Sequence, residues 1–204
     1  MYLNVFKTSF VKSNFDFEEL TVPEKTTLFN EGDKNDYVYF IENGAINVYK
    51  NKILIGITKT SEFVGITSCL CDKEIYTFSA KTKKETKILR LKKEEFKGKI
   101  EDNKEFSRYI MKVLCERIKL TDLKTKSFLD KTYEKRLIFE IINYAIYDGI
   151  TYKIIVSIDE LKMLTGIPKK TIAVLLKKLI NSNLLFKNSN ELCVSNLELL
   201  RKEL

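Results

Sequence analysis

Hydrophobic and polar positions follow three different rhythms along this chain. From about residue 20 to 95, short β-rich runs alternate with polar turns. Tyr37-Val38-Tyr39-Phe40-Ile41 and Ala45-Ile46-Asn47-Val48-Tyr49 flank Glu42-Asn43-Gly44, which predicts a hairpin. Ile53, Ile55 and Ile57 recur at period two, and Leu89 and Leu91 flank Arg90. Breaks at Glu31-Gly32-Asp33 and Asp72-Lys73-Glu74 supply turns, so a small antiparallel roll or barrel is expected. From about Lys104 to Lys126 the rhythm becomes helical, without Gly or Pro. Phe106, Ile110, Val113, Leu114, Arg117, Ile118 and Leu120 form a largely apolar stripe. A helix this long is about twice the usual globular length, which favours pairing with the same helix of a second subunit over service to its own core. A hinge is expected at Phe128-Leu129-Asp130, then a helix from Tyr133 to Asp148.

The third rhythm, residues 157 to 194, reads as a winged helix-turn-helix. Ser157-Ile158-Asp159-Glu160 is a capping box, in which a hydroxyl and a carboxylate satisfy the free amides of a helix start. The short helix carrying Leu161 and Leu164 stops at Gly166, and Pro168 opens a second helix. There Ile172, Leu175, Leu176 and Leu179 make one buried stripe, leaving Lys169, Lys170, Ala173, Lys177 and Lys178 on the other face. Leu184-Leu185-Phe186-Lys187 and Leu192-Cys193-Val194, around Asn188-Ser189-Asn190, predict a two-stranded wing.

Charge and chemistry narrow the function. The 204-residue chain carries a net +8, of which +1 lies in residues 1–103 and +7 in the remainder. The excess therefore sits with the helix-turn-helix, as a phosphate-binding surface requires. Double-stranded DNA is the expected partner, read by Lys169, Lys170 and Ala173 at base edges, with Thr171 and Lys177 on the backbone. The chain contains no histidine, which excludes Ser-His-Asp and Cys-His catalysis, imidazole-ligated haem and histidine-containing zinc sites. It also lacks a glycine-rich phosphate loop, so neither an enzyme nor a bound cofactor is expected. Cys69, Cys71, Cys115 and Cys193 are too scattered for a disulfide framework or metal site, and no metal is expected. The absence of a bilayer-spanning run or a secretory signal points to a cytoplasmic protein with no membrane partner.

The order of these parts resembles the Crp/Fnr family of bacterial transcription regulators. Leu28-Phe29-Asn30-Glu31-Gly32-Asp33, Asp36-Tyr37-Val38-Tyr39-Phe40-Ile41 and Asn43-Gly44 are similar to the signature of that family's roll. Phe63-Val64-Gly65 resembles the start of its phosphate-binding cassette, and Ser157 to Leu185 its helix-turn-helix. The resemblance implies an α+β protein. It has an N-terminal antiparallel β-roll of the cyclic-nucleotide-binding jelly-roll type over 1–103, a dimerisation helix and hinge over 104–130, and a winged helix-turn-helix over 131–204. It further implies a homodimer on an inverted-repeat operator, joined through Phe106, Ile110, Val113, Leu114, Arg117 and Leu120. RNA polymerase and an unidentified small-molecule effector are further candidate partners. Gly65, Thr67, Ser68, Tyr76, Thr77 and Thr121 are the candidate effector-pocket residues. Cyclic-nucleotide-binding members place a Glu after the cassette glycine and an Arg before a Ser or Thr; Ile66 and Tyr76 stand there, with Thr77 retained. Losing the acceptor and the guanidinium argues against cyclic AMP. Two alternatives remain: an effector-binding or protein-interaction module with a vestigial helix-turn-helix, and a redox regulator acting through Cys69 or Cys71.

Overall fold

The first 117 residues and the rest separate into two compact units, and the structure, a computed structural model, describes residues 8–129, 132–188 and 191–204. Asp130 of the expected hinge, Ser189 and Asn190 of the expected wing tip, and residues 1–7 lie outside that set. In chain order the elements of the first unit are α1 (Thr8–Asn14), β1 (Phe17–Val22), β2 (Thr27–Phe29), β3 (Tyr37–Asn43), β4 (Ala45–Lys50), β5 (Ile53–Lys59), β6 (Phe63–Val64), α2 (Ile66–Leu70), β7 (Ser79–Thr82), β8 (Thr86–Lys92) and α3 (Lys93–Asp102). α4 (Lys104–Leu129) begins in this unit and the division falls within it.

Two four-stranded antiparallel sheets make the roll, in the orders β1-β8-β3-β6 and β2-β7-β4-β5. Between them lie Val22, Phe29, Tyr39, Ile41, Ile46, Val64, Tyr76, Ala80 and Ile88. The alternate residues of the first sheet, Val38, Phe40, Phe63, Leu89 and Leu91, pack outward against Val11 of α1, Phe96 of α3 and Phe106 and Ile110 of α4. A strand covered on both faces needs no polar alternation, which explains the continuous apolar run of β3. Edge-to-face contacts of Phe106 with Phe15, Phe63 and Phe96, at 5.1–6.2 Å between centroids, knit the outer cluster.

Two sequence expectations change here. Glu42-Asn43-Gly44 is not a hairpin turn: β3 pairs with β8 and β6, β4 with β5 and β7, so the chain switches sheets at Gly44. At that switch Gly44 has φ 127° and lies so close to Thr86 that a Cβ would meet its hydroxyl at 2.4 Å. Only glycine fits. The true hairpin joins β4 to β5 through Asn51 and Lys52, both at positive φ. A register shift beside Val48 and Tyr49 leaves Ile55 unpaired, so Ile53 and Ile55 face solvent while Leu54 and Ile57 turn inward. Period two predicted a single face for the three isoleucines; the irregularity splits them.

The second unit contains the end of α4, α5 (Tyr133–Asn143), β9 (Ala145–Tyr147), β10 (Tyr152–Ile154), α6 (Ile158–Thr165), α7 (Lys169–Asn181), β11 (Leu185–Asn188), β12 (Glu191–Val194) and α8 (Leu197–Lys202). The helix expected to Asp148 ends at Asn143, and Ala145–Tyr147 forms a strand instead. Tyr147-Asp148-Gly149-Ile150-Thr151-Tyr152 is a hairpin, its Asp148 carboxylate accepting from the Ile150 and Thr151 amides. The expected wing is β11 against β12, but β12 also pairs with β10, giving a four-stranded sheet in the order β11-β12-β10-β9.

Candidate nucleic-acid interface and roll interior

The turn between α6 and α7 is built as the sequence predicts. The Ser157 hydroxyl accepts from the Glu160 amide at 3.2 Å and the Glu160 carboxylate accepts from the Ser157 amide at 2.8 Å. Gly166 ends α6 at φ 72°. Thr165, fully buried, donates its hydroxyl to the Leu161 carbonyl at 2.5 Å and accepts from the Ile167 amide at 3.2 Å, which sets the corner. Pro168 caps α7 from just outside, at φ −59° and ψ 141°, and helical geometry starts at Lys169.

Ile172, Leu176 and Leu179 of α7 are buried and Leu175 is half-buried, so the apolar stripe faces inward. Lys170, Ala173, Val174, Lys177 and Asn181 are exposed on the opposite side, and Thr171 is half-buried at its margin. Among the described residues no carboxylate pairs with Lys170 or Lys177. Lys169 is exposed but its ammonium is joined to Asp159. Lys178, grouped with this face by the sequence pattern, instead pairs with Glu134 of α5 at 2.6 Å. Val174 (68% exposed) and Asn181 complete the outward face, and one turn of helix spacing was enough to find them.

In the roll, Gly65 is the left-handed N-cap of α2, at φ 92°. A Cβ there would approach the Tyr37 carbonyl at 3.3 Å and the Tyr76 ring at 3.4 Å. Tyr76 is 2% exposed; its hydroxyl donates to the Tyr37 carbonyl at 2.6 Å and its ring stacks on Phe29 with centroids 3.7 Å apart. Burial pushes the phenol well above its ordinary value, so it stays a neutral donor. Ser68, buried, accepts from the Thr77 amide at 3.1 Å, and the two hydroxyls lie 3.2 Å apart. Thr67 is exposed on α2. Gly65, Ser68, Tyr76 and Thr77 are thus brought together; Thr121 is exposed on the part of α4 that belongs to the second unit. Ile66 is fully buried in the cluster outside the first sheet. Neither residue leaves an acceptor or a cation for a ribose phosphate: Ile66 has no polar atom, and the Tyr76 hydroxyl is already bonded.

The residues expected at a dimer face divide differently. Phe106 and Ile110 belong to the roll's own core, Val113 and Leu114 pack against it, and Arg117 donates to the Phe63 carbonyl at 2.9 Å. Leu120 is exposed, and the apolar residues that α4 turns to solvent are Met111, Ile118, Leu120 and Leu123. Phe106 to Leu114 of the stripe thus cover the outer face of the first sheet, while Ile118 and Leu120 are exposed. Cys69 is buried, its thiol pushed up to about 11, whereas Cys71 and Cys115 are exposed. No group of potential metal ligands occurs among the described residues. No helix among them is long and apolar enough to cross a membrane.

Residues 19–103 match the model of the cyclic nucleotide-binding domain. No curated protein sequence matches closely enough to count as a relative. Among solved structures the chain is similar to FixK2 of Bradyrhizobium japonicum, at 14% identity and a TM-score of 0.76, covering 92% of this chain and 97% of that one. CooA of Carboxydothermus hydrogenoformans matches at 17% identity and a TM-score of 0.72, covering 96% and 90%. The c-di-GMP-responsive regulator CLP of Xanthomonas campestris matches at 17% and 0.70, covering 88% and 94%. Residues 19–103 thus match the cyclic nucleotide-binding domain, and the chain shares its fold with solved CRP/FNR-family transcription regulators.

Proposed function

We propose that this chain is a sequence-specific DNA-binding transcription regulator rather than an enzyme, acting as a homodimer on an inverted-repeat operator. The observation that carries the reading is the outward face of α7, where Lys170, Ala173 and Lys177 stand exposed beside a well-formed helix-turn-helix corner. Lysines on a helix that fits a major groove reach both guanine edges and phosphates. Lys169 joins them once its ion pair with Asp159 opens, which an exposed pair does at little cost. Thr171 and Lys177 serve the backbone. The +7 surplus after residue 103 supplies attraction of the right sign.

Two copies on one duplex present their α7 helices to half-sites about one helical turn apart. Exposed apolar residues of α4 supply the contact between copies in this reading, and RNA polymerase is the partner through which binding alters transcription. The roll responds to an effector other than cyclic AMP, near Gly65, Thr67, Ser68 and Thr77, or to none. The buried Ile66 and the committed Tyr76 hydroxyl support that reading.

Selection from a pool of random duplexes, followed by titration at several salt concentrations, tests the proposal. An inverted repeat should emerge, and log K should fall linearly with log salt. Undetectable binding at low salt would overturn it.

A further inference from the structure

α5 is tied to three neighbouring helices by charged side chains. Its Arg136 donates to the Phe128 carbonyl at 3.2 Å and to the Thr165 carbonyl at 3.3 Å. Phe128 lies in the last turn of α4 and Thr165 is the last residue of α6. Both carbonyls belong to the last turn of a helix, which has no further turn to bond and carries partial negative charge. The guanidinium also lies over the Phe128 ring, 4.4 Å from its centroid. A planar fork bridges two carbonyls in a fixed geometry; an ammonium has donors enough but lacks the rigid fork. One turn further along α5, Glu140, 1% exposed, pairs with Lys124 of α4 at 2.9 Å. Burial raises the Glu140 carboxyl against the opposing pull of Lys124. Glu134, earlier on α5, holds Lys178 of α7.

We propose that Arg136 is a positioning residue for DNA recognition, bridging the end of α4 to the corner that precedes the recognition helix. The proposal rests on the regulator reading above and deepens it. Arg136 is half-buried and its guanidinium is spent on protein carbonyls, so it acts through the corner and not on phosphate. Thr165 is the residue that sets that corner through Leu161 and Ile167. Anchoring its carbonyl to the end of α4 makes the direction of α7 depend on where that end stands. The Lys124–Glu140 pair resists sliding of α4 along α5, so the bridge works against a fixed support.

The test uses the full chain with Arg136→Ala and Arg136→Lys, a duplex recovered by the selection, and amide hydrogen exchange without DNA. Arg136→Ala should bind about ten-fold more weakly with an unchanged salt slope. Exchange should quicken at Gly166 and Ile167, with β11 and β12 unaffected, and Arg136→Lys should recover part of the affinity. A slope reduced by about one would mean a direct phosphate contact and overturn the proposal. So would unchanged affinity, or exchange quickened evenly through the second unit. If the native chain binds no duplex, the regulator reading fails, and the exchange pattern alone decides Arg136.

Discussion

The roll interior and α7 treat polar groups in opposite ways. Beside α2 two buried polar side chains are paired internally: Tyr76 with the Tyr37 carbonyl, Ser68 with Thr77. Along α7 the apolar residues are turned inward and Lys170 and Lys177 are left in water. The same physics produces both. A buried donor without a partner costs about 1–3 kcal/mol, so an interior that keeps polar groups must spend them on itself. A solvated cation costs the fold nothing and remains available. The roll therefore spends its buried polar groups on internal bonds, and the helix leaves two of its cations unpaired among the described residues.

That contrast yields graded predictions, the largest in the roll. Tyr76→Ala removes a ring stacked on Phe29 and should destabilise the protein by about 3–5 kcal/mol in chemical denaturation. Tyr76→Phe keeps the ring and strands the Tyr37 carbonyl, for a smaller loss of about 1–3 kcal/mol. If both variants unfold like the native chain, the interior is not bonded in the way described. Ser157→Ala at the capping box belongs to the second unit and should cost about 1 kcal/mol. Lys177→Ala should leave stability within about 0.5 kcal/mol while lowering the salt slope of duplex binding by about one. A stability loss from that change as large as Tyr76→Phe would erase the distinction between the two regions.

The smallest effect is electrostatic. Asp148, held by two backbone amides and by Lys153, has its carboxyl lowered from about 3.8 to about 2. Its folded value lies below the unfolded one, so its contribution is complete above about pH 4 and fades as pH falls through 2. A carboxyl resonance for Asp148 with its midpoint near 4 would contradict this.

Legibility followed the range of the interactions involved. The capping box, the glycine corner, the stripe of α7 and the existence of β3, β4 and β8 depend on neighbours within a few residues, and all could be read along the chain. The β9–β10 hairpin was equally local, signalled by Asp148-Gly149, but a helical reading ran through it. Partners of strands were not legible. Whether Asn43-Gly44 turns a hairpin or switches sheets depends on Thr86, 42 positions away from Gly44. The split of Ile53, Ile55 and Ile57 required a register shift that no alternation pattern contains.

What the chain determined by itself is the order of a strand-rich part, a long helix and a helix-turn-helix, the sign and place of its charge, and the chemistry that lacking histidine forbids. Tertiary structure alone decided which side of α4 faces the roll, that Lys178 serves Glu134 and not the outward face, and that Arg136 joins two helix ends. Periodicity specifies that a helix has an apolar side. Only the surface it packs against specifies which neighbour that side meets, because burial free energy is non-directional and depends on the total area covered.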